Sequence, residues 1–150
     1  MNLKSYFFLL LCAACVNNAS DKETSYKKTD LQQLRWIEGN WKGMDGQTPF
    51  YEIYKITNDS TLEISSYNWN GTDSSATSRS YVHWKNDQYH LGDSLNWKVT
   101  QIGRDSIYMV PVYKASNTIL WKKTPAGWDA VLKSPKGEKV YHMERIAHFK

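Results

Sequence analysis

Cysteine is nearly absent from this chain: its 150 residues hold two, at positions 12 and 15, and none follows. A fold built beyond Cys15 has no disulfide to constrain it and must bury enough apolar surface to stand by itself. No apolar run reaches the roughly 18 to 20 residues that a membrane-spanning helix requires. Charge of one sign is nowhere concentrated. The 19 Lys and Arg and the 15 Asp and Glu leave a net charge of +4 but alternate along the chain. That is a solvated surface without the basic stripe a nucleic-acid partner would need. Catalytic signatures are missing as well. There is no G-x-S-x-G, no H-E-x-x-H and no glycine-rich phosphate loop after Cys15, so the reading is of a non-catalytic protein with no cofactor and no metal.

The N-terminus carries an address. Met1-Asn2-Leu3-Lys4 is a short positive start, Ser5 to Leu11 is an apolar run, and Cys12-Ala13-Ala14-Cys15 ends it with small residues. This is the three-part pattern of a secretory signal, predicted over residues 1–14. The C-x-x-C spacing also fits a redox or metal motif, but it lies inside the export signal and not beside a folded unit. Cleavage before a cysteine that follows two small residues resembles the lipobox of bacterial lipoproteins. The resemblance implies that the Cys15 sulfur receives a diacylglycerol, that the new amino terminus is acylated by a palmitate-type chain, and that the domain is held at a membrane. Val16 stands where an inner-membrane retention signal would place Asp, which implies the outer membrane. Residues 15–28 are polar and without period, as expected of a flexible tether.

What remains, residues 29–150, is one domain in size. Seven Trp and ten Tyr in so short a chain favour pleated, half-buried surfaces. Leu31, Leu34 and Ile37 recur at helical spacing after Thr29 or Asp30 as cap, predicting one or two helical turns. Beyond Gly39 the period becomes two. Turn signals then arrive about every eight to twelve residues, the spacing of an all-β sandwich or barrel. Asn70-Gly71 is the strongest of them, since both residues tolerate positive φ. The intervening segments are 40–44, 50–56, 61–69, 78–84, 88–91, 95–102, 106–113, 118–123, 128–134 and 139–146. Leu62, Ile64 and Ser66 share one face, as do Leu95, Trp97 and Val99, and Trp128, Ala130 and Leu132. A meander with one buried face removes its exposed edges by closing. The expected fold is therefore all-β: one antiparallel up-and-down barrel of about 8 to 10 strands behind a short N-terminal helix.

Leu34-Arg35-Trp36-Ile37-Glu38-Gly39-Asn40-Trp41 resembles the short helix and G-x-W start of the first strand in lipocalins and their calycin relatives. Tyr141-His142-Met143-Glu144-Arg145 lies where lipocalin-like chains end in a strand whose Arg packs over that Trp. The chain is similar in layout to lipocalin-like domains of exported bacterial proteins from Leu31 to Ile146. The resemblance implies a cup that is filled by side chains or holds one small apolar ligand.

Gly39, Trp41 and Arg145 are the expected closure of the barrel, with the guanidinium lying on the indole face. Ser66, Trp97, Tyr141 and Arg145 are the candidate contacts of an apolar or amphipathic ligand bound inside. The alternative is a packed barrel serving as a protein-interaction or structural module of an envelope complex, whose mark would be a contiguous exposed apolar patch. A two-residue turn at Asn86-Asp87 would set His83 opposite His90, a pair short of a third metal ligand. Glu52 and Glu63, on consecutive strands, are expected to solvate the outer face. The sequence carries no sign of oligomeric state.

Overall fold

The computed structural model describes residues 26–69, 72–94 and 96–147. The signal segment, Cys15, most of the tether and the Asn70-Gly71 turn lie outside the described residues. A 3-10 helix, Lys28–Ile37, precedes ten strands: β1 (Gly39–Asp45), β2 (Thr48–Asn58), β3 (Thr61–Trp69), β4 (Ser74–Lys85), β5 (Gln88–Leu91), β6 (Trp97–Gly103), β7 (Ser106–Pro111), β8 (Thr118–Lys123), β9 (Gly127–Ser134) and β10 (Gly137–Ile146). Each strand pairs antiparallel with its neighbour in sequence. β1 pairs β10 through Trp41 opposite Arg145, which closes the barrel and leaves no edge.

The helix is 3-10 for a reason visible in its spacing. Leu31, Leu34 and Ile37 stand three apart, and a helix of three residues per turn stacks such positions in one line. All three are fully buried, each contributing on the order of 1.5–3 kcal/mol relative to exposure. Its first turn is held by the Asp30 carboxylate, which accepts the Lys27 backbone N–H at 2.8 Å. The cap thus reaches backward from the third helical residue. Tyr26 is buried in the core ahead of the helix, so packed chain begins before Thr29.

Turn chemistry fixes the registers. Asn86 and Asp87 both adopt positive φ, 52° and 56°, the demand of a two-residue type I′ hairpin. His83 therefore pairs with His90 and Trp84 with Tyr89. Three register shifts interrupt the period of two, the first at Thr57 between Ile56 and Asn58, and the other two in β4 and β6. Thr77 is the extra residue opposite the Ser66/Tyr67 step, and its hydroxyl donates to the Ser66 carbonyl at 3.1 Å. Thr100 is the extra residue in β6, which lets Val99 and Ile102, three apart, both join the interior.

The two ends of the barrel differ. The helix lies over the end where the β2–β3, β4–β5, β6–β7 and β8–β9 turns gather. The opposite end carries the β1–β2, β3–β4, β5–β6, β7–β8 and β9–β10 connections. No helix among the described residues is long and apolar enough to cross a membrane.

Candidate functional site

At the helix end the interior is solid. Trp128, 1% exposed, sits at the centre of an aromatic cluster. Its ring centroid lies 6.4 Å from Trp36, 6.0 Å from Trp41, 5.3 Å from Tyr54 and 5.6 Å from Trp121. Most of these pairs are edge-to-face, the arrangement ring quadrupoles favour. The Trp41 indole N–H donates to the Ile37 carbonyl at 2.6 Å, satisfying a helix C-terminal acceptor. The Arg145 guanidinium lies 4.5 Å from the Trp41 ring centroid and donates to the Trp36 carbonyl at 3.4 Å. Gly39 has φ +131°, and a Cβ there would strike that guanidinium. The structure thus brings Gly39, Trp41 and Arg145 together. On the far side, Tyr89 donates to the Lys28 carbonyl.

Above this floor the barrel is hollow. A cavity of about 860 Å³ opens toward the β1–β2 hairpin, within the usual range for sites that enclose a small molecule. Phe50, Tyr54, Trp97, Trp121, Trp128 and Tyr141 supply its aromatic wall. Phe50 and Tyr141 meet edge to face near the mouth at 5.3 Å. Trp97 is pinned there by its indole N–H, which donates to the Asn117 carbonyl at 2.8 Å. The Trp128 indole N–H is buried without an acceptor. On the rim, Lys139 and Asp45 form a 2.6 Å ion pair, and the same ammonium lies 4.8 Å from the Tyr141 ring centroid.

Below the Lys139–Asp45 pair of the rim, one more charged group stands in the wall. Glu52 lines the cavity with Ser66 and Ser80. The Tyr54 hydroxyl donates to its Oε2 at 2.7 Å and the Ser66 hydroxyl reaches its Oε1 at 3.4 Å. Burial pushes the Glu52 carboxyl above its ordinary value of 4.5, against the two hydroxyl donors, which favour the charged form. Burial and the neighbouring Glu52 charge in turn push Tyr54 well above the ordinary phenol range.

Of the candidate ligand contacts, Ser66, Trp97 and Tyr141 line the cavity, whereas Arg145 stands outside it at the closed end. Glu52 corrects the expectation for the acid pair. It faces inward, while Glu63 alone faces out, 3.8 Å from Arg79. The sequence signal was weak because β2 carries apolar residues on both parities: Phe50, Tyr54 and Ile56 on one, Tyr51 and Ile53 on the other. Its register settles the matter, since Glu52 pairs with Trp41 on β1 and Ser66 on β3. The His83–His90 pair gains no third ligand among the described residues. Burial, then the charges of His83, Lys98 and Lys85, push His90 below its ordinary value of 6.5.

The fold and site define a closed ten-stranded antiparallel barrel with a solid floor and a hollow, aromatic-walled upper half. No protein-family model, curated protein or solved structure matches the chain.

Proposed function

We propose that this chain is an exported, lipid-anchored, lipocalin-like protein that binds a small apolar or amphipathic molecule in its barrel without transforming it. The observation that carries the reading is the cavity of about 860 Å³ walled by Phe50, Trp97, Trp121 and Tyr141 and holding the few polar groups that would orient a guest. A packed barrel acting only through its outer surface has no use for such a space. Among the described residues the large apolar side chains that are exposed, Met44, Val112, Tyr113 and Val140, are few, which lends less support to a docking surface.

Anchoring rests on the sequence around Cys15, through the lipobox resemblance, and the outer membrane on Val16. The binding reading is tested by native mass spectrometry of the protein purified from its own host. A bound small molecule that leaves when Trp97 and Trp121 are both replaced by Ala is the expected result. Protein that is consistently ligand-free, and that gains no mass from a panel of small amphipathic compounds, would contradict it.

A further inference from the structure

Glu52 is an unusual residue to find in an aromatic cup. A carboxylate removed from water is costly unless a counter-charge or a full set of donors replaces the solvent. Here the donors are two hydroxyls, those of Tyr54 and Ser66. Among the described residues no Lys, Arg or His forms an ion pair with Glu52. Two cations of β10 are engaged elsewhere. Lys139 on β10 is tied to Asp45 on the rim, and the Arg145 guanidinium is on the other side of Trp41 in the register, stacked on that ring and bonded to Trp36. The cavity therefore presents one unbalanced negative charge, in a lining that also holds Tyr54, Trp121 and Trp128. Aromatic faces attract cations and repel anions.

We propose that the cavity selects an amphipathic amine, with an apolar body held by the aromatic wall and a single protonated nitrogen seated on the Glu52 carboxylate. The inference deepens the cup reading and rests on it. An ammonium supplies the missing counter-charge, and the hydroxyls of Tyr54 and Ser66 hold the carboxylate in place to receive it. A ligand carboxylate placed there would meet Glu52 head on. A neutral hydroxyl could donate to Glu52 but would leave its charge unbalanced. The raised Glu52 pKa agrees with this arrangement, because a carboxyl short of counter-charge resists ionisation until a cation arrives.

The test uses three probes with one apolar body: 4-phenylbutylamine, 4-phenylbutanol and 4-phenylbutyrate, each titrated calorimetrically into the full chain at neutral pH. The amine is expected to bind about tenfold or more tighter than the alcohol, as a charge-assisted hydrogen bond provides, and the butyrate to bind weakest. Glu52→Gln should bring amine and alcohol to within about threefold of each other, because the amine loses its counter-charge. Should that variant fail to fold, the wild type answers by pH. The titratable groups facing the cavity are Asp45 from β1, Glu52 and Tyr54 from β2 and Tyr141 from β10, and no His is among them. Protonating Glu52 should erase the amine's advantage as the pH falls toward 4.5 while alcohol binding holds. Equal binding of amine and alcohol to the wild type would overturn the amine inference and leave the cup reading standing. So would a preference that survives Glu52→Gln or acidification. Failure of all three probes to bind would remove the cup reading, and the inference with it.

Discussion

The two halves of this barrel solve opposite problems with the same residue types. At the helix end, Trp36, Trp41, Tyr54, Trp121 and Trp128 pack ring against ring, and carbonyls at the helix C-terminus are taken up by Trp41 and Arg145. At the open end, Phe50, Trp97 and Tyr141 stand around empty space, with a carboxylate among them in place of another apolar side chain. Aromatic abundance alone therefore says nothing about whether a barrel is filled. What separates the halves is the helix: Leu31, Leu34 and Ile37 drive into one end and seal it, and nothing among the described residues plugs the other. Ring packing is concentrated below and open space above.

That division can be broken most forcefully at Trp128. Trp128→Ala removes the ring that four other aromatic residues share, and it should lower stability by about 3–5 kcal/mol, read from urea unfolding midpoints. Trp97→Ala, at the mouth, should cost clearly less, and equal losses at the two sites would contradict the division. Arg145→Ala comes next. It deletes the stack on Trp41 and a donor to the Trp36 carbonyl, for an expected loss of about 0.5–2 kcal/mol. Probe binding in the upper cavity should be unaffected, so a variant that loses binding at full stability would move Arg145 into the site.

The smallest effect has the opposite sign. Glu52 has a raised pKa when folded, so the native state holds its proton to higher pH than the unfolded chain does. Its contribution to stability is fully present below the ordinary value of 4.5 and is lost as pH rises through the folded pKa. Glu52→Gln should therefore be more stable than the wild type at neutral pH, with the gap closing on acidification below 4.5. A variant less stable than the wild type at pH 7 would show that the carboxylate holds the fold together, and the open half would then not be the functional one.

Much of this architecture was legible in the sequence. Strands β3, β5 and β8 begin and end where turn residues and alternation place them. The Asn86-Asp87 pair set a register correctly because its positive φ angles leave little choice. β4 begins at Ser74, earlier than its apolar residues suggest, because Ser74 and Ser75 still pair with Trp69 and Asn68 in the ladder. Glu52 escaped for a different reason. A strand with apolar residues on both faces does not announce its inner one, and only pairing with Trp41 and Ser66 does so. The open cup was expected only through the lipocalin resemblance, since alternation reports which side chains turn inward and not whether they meet. Trp97 and Tyr141 point into the space, but their volumes alone do not reveal that it stays open.

The central claim, that the upper half of the barrel is a binding cup, is tested most directly by the indole N–H resonances of the seven tryptophans during titration with 4-phenylbutanol, a neutral probe whose binding does not require the Glu52 charge. The account predicts saturable shifts strongest at Trp97, Trp121 and Trp128, which line the cavity, with Trp69 and Trp84 left unmoved. Unshifted resonances at all three cavity tryptophans, with or without a response at Trp69, would contradict it.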